Sequence, residues 1–483
     1  MDETDINIES IKKKSVTGIL ALTLRTFLLQ LIAFGATFLL TIYLTPSIFG
    51  IFFVVSAIIS FLSYFSDIGL AAALIQKKEE LKENDLITTF TIQQLLVLPI
   101  ALLAYLFASR VAAFYGLDRE GVVLFQALVI SFFFSSLKTI PSVLLERSLK
   151  FHILVIPQIA ETLAFYIVAV ILAWKGYGVT SFTYAVLTRA IIGLVLMYIV
   201  SPWKIKIGIE KTVAKRLLKF GIPFQLNSFL ALLKDDLMTV FLGKVLPFAQ
   251  VGYIGWAKKW AEVPLRLIMD SVIRVTFPAF ARLQHSKEIL GSAIEKTIFG
   301  LAVTILPISA GLLFFIDPLV KIIPKYSKWE PALFSFSLFV LASILAAFST
   351  PLTNALNAVG KIKITLMLMV SWTIATWVLT VTLVHFIGFN GVAVALLILT
   401  SSLGIVVMLT KKIAVFSFLS MVKWPFAAVL VQSLWYYLLR GNAPYMLAYQ
   451  ILVACSGAIL YIAILWVFER KHITEMVHFI RLK

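Results

Sequence analysis

The sequence predicts an all-α polytopic membrane protein of about 14 transmembrane helices, in two six-helix pseudo-symmetric halves plus two C-terminal helices. Three observations carry this prediction. Hydrophobic residues fill 61% of the 483 positions and charged residues only 14%, whereas soluble domains run at roughly 45–50% and 25%. Uncharged stretches are long enough to cross a bilayer, which takes ~20 apolar residues per helix. They are also continuous, which excludes a membrane barrel of alternating segments of about ten residues.

The spans follow in order. Residues 26–66 carry no charge, too many for one helix, and Thr45-Pro46-Ser47 divides them into spans 16–44 and 47–75. The first span follows Lys12-Lys13-Lys14, but it is too long for a signal peptide and lacks a small-residue cleavage site, so it is expected to stay in the mature chain. The uncharged run 86–109 is the third span. Apolar runs then predict 120–145, 153–173, 178–201, 213–243, 248–281 and 291–315. Residues 331–360 are uncharged and supply 331–359. Residues 364–410 hold no Asp, Glu, Lys or Arg, and the turn Gly388-Phe389-Asn390-Gly391 splits them into 362–386 and 389–410. The last two spans are 420–439 and 444–468.

Lys and Arg concentrate on the cytoplasmic side of spanning helices. With the amino terminus inside, inner loops and tails carry 26 basic residues and outer loops 8, so both termini are expected to be cytoplasmic in the plasma (inner) membrane. The largest inner cluster is Lys204, Lys206, Lys211, Lys215, Arg216 and Lys219. It reads as a topology signal with attraction to anionic lipid heads. A nucleic-acid partner is not expected, because no aromatic or base-reading residues surround it.

That loop is also the seam of a repeat. Thr45-Pro46-Ser47-Ile48-Phe49-Gly50 and Leu246-Pro247-Phe248-Ala249-Gln250-Val251-Gly252 share a proline followed by an apolar-Gly step that opens the next helix. The expected organisation is a cytoplasmic tail (1–15), an N-terminal half (16–201), a basic linker (202–219), a C-terminal half (220–410), two further helices (411–468) and a cytoplasmic tail (469–483). Six spans per half is an even number, so the repeats share one topology, with a substrate site expected between them.

The segments Leu39-Leu40-Thr41-Ile42-Tyr43-Leu44-Thr45-Pro46-Ser47-Ile48-Phe49-Gly50 and Phe65-Ser66-Asp67-Ile68-Gly69-Leu70-Ala71-Ala72-Ala73-Leu74-Ile75-Gln76 resemble the amino-terminal signature of Wzx-type polysaccharide flippases. These belong to the multidrug/oligosaccharidyl-lipid/polysaccharide superfamily. The resemblance covers about residues 16–90 and implies a 6 + 6 + 2 layout. It also implies translocation of polyprenyl-pyrophosphate-linked oligosaccharide by alternating access, with other polysaccharide-assembly proteins as partners.

Eight cations lie within spans: Arg25, Lys138, Arg189, Lys234, Lys258, Lys259, Arg266 and Arg274. Six acids join them: Asp67, Glu161, Asp235, Asp236, Glu262 and Asp270. All fall in spans 1 to 8. Intramembrane charges are costly and face protein or water, so these are candidate functional residues. Lys258, Glu262, Arg266, Asp270 and Arg274 recur every four residues with alternating sign and form a slowly turning stripe. It reads either as a self-neutralised structural stripe of i,i+4 pairs or as a hydrated cavity wall. The opposite face, with Ile254, Trp256, Val263, Leu267, Val275 and Phe277, is free to pack or to meet lipid.

In span 7, Lys234 is expected to pair with Asp235 or Asp236, leaving the other acid to titrate or bind a sugar hydroxyl. Asp67 ends span 2, where a cap or salt bridge competes with transport chemistry. Arg25 either snorkels to the inner surface or clamps pyrophosphate with its planar fork of donors. Arg189 and Lys138 are similar candidates, though Lys138 has Glu146 and Glu161 as alternative partners. Prolines 99, 141, 157, 223, 264, 278, 307 and 351 are expected at bends.

The five His are scattered and Cys455 is the single cysteine, so no metal, disulfide or cofactor is expected. A coupling ion, H+ or Na+, stays open. The rivals are a cation-coupled multidrug exporter, a peptidoglycan-precursor flippase, and a membrane glycosyltransferase or polymerase. The intramembrane charges sum to +2, which suits an anionic ligand better than a cationic drug. An enzyme is disfavoured by the short outer loops and by the lack of a metal-binding Asp-x-Asp motif.

Overall fold

A computed structural model describes residues 26, 28–66, 68–440 and 446–481. Arg25, Asp67 and the N-terminal tail lie outside the described residues, as does the Asp270 side chain. All regular structure among the described residues is helical. The chain divides into two compact units, Met1–Gly252 and Tyr253–Lys483. Among the described residues, eleven helices are long and apolar enough to cross a membrane, so this is a multi-pass membrane protein.

The first unit contains α1 (Leu28–Tyr43), α2 (Pro46–Tyr64), α3 (Leu70–Gln76), α4 (Glu83–Leu106), α5 (Ala108–Tyr115), α6 (Arg119–Leu137), α7 (Thr139–Arg147), α8 (Phe151–Trp174), α9 (Thr180–Val200) and α10 (Lys211–Val245). It also holds the opening turns of α11 (Phe248–Ala261). Local chemistry sets several starts. Pro46 opens α2, where its missing N–H would have no helical partner in any case. The Asp118 side chain accepts a hydrogen bond from Gly121 N (2.9 Å) and caps α6. Gly69, at φ +74°, turns the chain into α3. Packing of α9 on α6 and α8, of α4 on α6, and of α10 on α2, α3 and α4 builds the unit. Leu70, Leu74, Phe90 and Ile140 are buried at one end, and Phe52 stacks on Phe182 (4.2 Å between centroids) nearer the other.

The repeated proline-glycine turns meet each other. A Cβ added to Gly50 would strike the carbonyl of Phe248, and one added to Gly252 would strike the carbonyl of Pro46. The first residue of each helix thus sits over the fifth residue of the other.

The second unit takes in the rest of α11, then α12 (Val263–Leu283), α13 (Lys287–Ile322), a 3₁₀ turn (Ser327–Ala332), α14 (Leu333–Ala358), α15 (Ile362–Ile387), α16 (Asn390–Thr400), α17 (Leu403–Lys411), α18 (Phe418–Arg440) and α19 (Leu447–Arg481). Helices α13 and α14 form its centre, with α18 and α19 against α13 and α12, α16 and α17 against α14. Ile298, Ile305, Phe348, Leu352 and Val406 are buried there. Trp256 stacks on Trp329 at 5.3 Å and donates to the Tyr326 hydroxyl (3.2 Å).

Five spans expected to be continuous are interrupted: at 65–66 and 68–69, at Phe107, at Lys138, at Glu262 and at Ser401-Ser402. Pro141 and Pro264 follow two of these breaks closely, whereas Pro99, Pro157, Pro278, Pro307 and Pro351 lie inside helices. Removing one backbone donor therefore did not by itself end a helix here.

Candidate functional site

Lys138 occupies the break between α6 and α7 and donates to Glu161 Oε2 of α8 at 2.6 Å. The side chains are 17% and 14% exposed. Glu146, the other partner open to Lys138 in sequence, instead accepts from Ser142 (3.1 Å). The pair lies against the backbone of Gly193 in α9, where an added Cβ would meet Glu161 Oε2 and would stand 2.9 Å from Lys138 Nζ. One helical turn earlier, Arg189 is exposed. Its guanidinium lies 6.0 Å from the centre of the Phe165 ring, and no described carboxylate pairs with it.

Neutral polar groups continue this layer. Gln93 Nε2 donates to Thr139 (2.9 Å) and Gln94 Nε2 to Ser136 (3.1 Å). Both glutamines are buried, and Gln93 Oε1 has no hydrogen-bond partner. Gln93 and Glu161 stand ten residues inside the starts of α4 and α8, and Arg189 eleven residues before the end of α9. At 1.5 Å per residue these positions lie about 15 Å along their helices, half the length that a ~30 Å hydrocarbon core requires. A cation, an ion pair and amide groups thus share one level part-way along the helices.

A second cluster gathers where α4 and α10 begin and α7 ends. The Asp85 carboxylate, only 2% exposed, accepts from Lys77 Nζ (2.6 Å), Arg216 Nη2 (2.6 Å) and Lys82 N (2.8 Å). Arg147 donates to the carbonyls of Leu74 and Lys77 (2.7 Å each) and to that of Glu79. Lys206 pairs with Glu83. Glu210 accepts from Thr212 (2.6 Å) and Asn84 (2.9 Å), which holds its carboxyl below the usual range. Sequence reasoning took these cations as topology signals and missed the buried carboxylate between them.

Elsewhere in the first unit, Lys234 and Asp236 are half-buried and Asp235 is exposed, on consecutive positions of α10. In the second unit, the stripe crosses the α11–α12 break. Arg266 Nη2 donates to Glu262 Oε2 at 2.7 Å, the expected i,i+4 spacing, and Arg266 is 62% exposed. Lys258 is half-buried and Arg274 exposed. Of the opposite face, Ile254 and Trp256 are buried while Leu267, Val275 and Phe277 point outward. Among the described residues, no group of acids, His and Cys could hold a metal ion.

The succinoglycan biosynthesis transport protein ExoT of Rhizobium meliloti (strain 1021) is 24% identical over 66% of this chain and 64% of its own length. The teichuronic acid biosynthesis protein TuaB of Bacillus subtilis (strain 168) is 23% identical over 61% of each chain. The match therefore spans less than two thirds of either relative. Among solved structures, the lipid II flippase MurJ in an inward closed conformation superposes with a TM-score of 0.73, covering 94% of this chain and 100% of that one. At 16% identity that likeness shows the fold. The family model described as polysaccharide biosynthesis protein matches residues 39–334, more than half of the sequence, and the chain belongs to that family.

Proposed function

We propose that the chain is a flippase that carries polyprenyl-pyrophosphate-linked oligosaccharide across the cytoplasmic (inner) membrane by alternating access. Membership of the polysaccharide biosynthesis family supports this, as does the transport role in ExoT's name. The observation that carries it for these residues is Arg189, an exposed guanidinium part-way along α9 and one turn from the Lys138–Glu161 pair. A guanidinium offers bidentate donors to phosphate oxygens, and the neighbouring glutamines and threonine suit sugar hydroxyls. In this reading Arg25, Lys234, Lys258, Arg266 and Arg274 add to the positive field, and the acids Asp67, Glu161, Asp235, Asp236, Glu262 and Asp270 orient them or bind sugar.

The same reading takes fourteen crossings. The pairs α2/α3, α4/α5, α6/α7, α11/α12 and α16/α17 each count as one, and both termini are cytoplasmic. Charged residues in α10 and the break at Glu262 keep those segments from standing out by composition alone.

The test is flipping of a polyprenyl-pyrophosphate oligosaccharide in proteoliposomes, with purified wild-type and Arg189→Ala protein. Losing a bidentate contact of about 1.5–3 kcal/mol should slow flipping ~10- to 100-fold with protein yield unchanged. A wild-type rate in the alanine variant overturns the role of Arg189, and no flipping by the wild type overturns the function.

A further inference from the structure

Helices α14, α17 and α18 enclose a groove of about 470 Å³ in the second unit. Leu345, Val407, Met408 and Phe418 make its walls, and it runs from Ser401 to Lys411. Ten residues separate those ends, about 15 Å at the helical rise, which is half of the ~30 Å hydrocarbon core of a bilayer. Its two ends differ in chemistry. At the deep end the hydroxyls are already engaged: Ser401 Oγ donates to Leu397 O (2.8 Å), and Ser402 Oγ accepts from Trp372 Nε1 (3.0 Å). A ligand there meets an effectively apolar surface. At the other end Lys411 and Lys412 are exposed and pair with no described carboxylate. The nearby acid, Glu295, accepts from Ser417 N (2.7 Å) at the start of α18.

Gly404 lines the groove, and a Cβ added there would meet nothing within 4 Å. The space is therefore open beside the helix rather than filled by a neighbour.

We propose that this groove binds an anionic phospholipid of the inner leaflet, one acyl chain lying along α17 and the phosphate at Lys411 and Lys412. An apolar trough half a bilayer long with cations at one end matches one leaflet's lipid in both length and charge. Basic sites between helices on the cytoplasmic side bind anionic head groups in this way. The assignment to the inner leaflet rests on the orientation proposed above.

The test uses the full-length protein, purified and exchanged into mixed micelles of phosphatidylglycerol and phosphatidylcholine, with retained lipid counted by native mass spectrometry. Wild-type protein is expected to retain phosphatidylglycerol in preference to phosphatidylcholine. Gly404→Leu fills the trough without a backbone clash and should lower that retention about tenfold or more. Lys411→Ser and Lys412→Ser should each weaken phosphatidylglycerol retention about fivefold and leave phosphatidylcholine unchanged. Melting temperature is read in parallel, and Gly404→Met replaces the leucine variant if that variant unfolds early.

Unchanged retention in a folded groove-filled variant overturns the site. Equal retention of both lipids overturns the head-group role of the lysines. Displacement of phosphatidylglycerol by a polyprenyl phosphate at equal concentration overturns the occupant. Lipid retention is measured without transport, so its failure leaves the flippase reading standing. Labelling of Lys412→Cys in a Cys455→Ala background by an impermeant reagent added outside the cell overturns the leaflet.

Discussion

Replacing Glu161 by Gln keeps the shape of the side chain and removes the anion that holds Lys138. Both partners retain some exposure, 17% and 14%, so the ~3–5 kcal/mol of a fully buried broken pair is too much, and about 2 kcal/mol is the expected loss. Lys138 cannot move into the space beside it, because the pair already rests on the backbone of Gly193. For a chain of this length 2 kcal/mol lowers the melting temperature by about 2–4 °C, since unfolding entropy grows with size. Unfolding of a polytopic protein is often irreversible, so variants should be compared at one scan rate in one detergent. Lys138→Met should lose a similar amount by stranding the carboxylate. Lys138→Met with Glu161→Gln should recover most of the loss, giving a coupling of about 2 kcal/mol in the double-mutant cycle. Additive losses in the double variant, or wild-type melting of Glu161→Gln, would refute the reasoning.

Three further outcomes follow from other sites. Arg189→Lys should restore part of the flipping lost in Arg189→Ala, because a point charge replaces a planar fork, and neither variant should change the melting temperature, since Arg189 is exposed. Gly50→Leu should cost about 1–3 kcal/mol by overpacking, because the carbonyl of Phe248 stands where its Cβ would go; scanning calorimetry showing no loss would contradict that contact. A cysteine at 210 in a Cys455→Ala background should resist impermeant thiol reagents in intact cells and react in inverted vesicles.

Composition made most of the helices legible, and turn chemistry made some of their ends legible. The uncharged run 86–109 lies almost entirely within α4, and Gly388-Phe389-Asn390-Gly391 separates α15 from α16 with Gly388 at φ +62°. The interruptions at Lys138 and Ser401-Ser402 fell inside expected spans, with only Pro141 marking the first as a bend, and the side chains at both are held by tertiary partners. Trp372, thirty positions away, donates to Ser402, and Glu161, twenty-three positions away, holds Lys138. Neither spacing is helical, so no periodicity singles the partner out. The charged positions of the layer around Lys138 were readable from the expense of placing charge in a span. The neutral part was not, although the adjacent Gln93-Gln94 in an otherwise apolar run was the available signal. Asp85 looked like an ordinary surface acid beside Glu83 and Asn84. Its burial comes from Arg216, which the chain returns to it 131 residues later.

The crossing of α2 and α11 has the form that two identical subunits adopt across a dyad. In such an isologous contact, residue i of one copy touches j of the other while j touches i. Here the first position of each helix faces the fifth of its counterpart, within a single polypeptide. A chain carrying one copy of this turn could make the same contact with a second molecule of itself. With glycine at each contact no Cβ stands between the two backbones, and interlocking side-chain ridges are what ordinarily set the spacing of packed helices. The two opening turns therefore meet backbone to backbone, and a side chain at either glycine would force them apart.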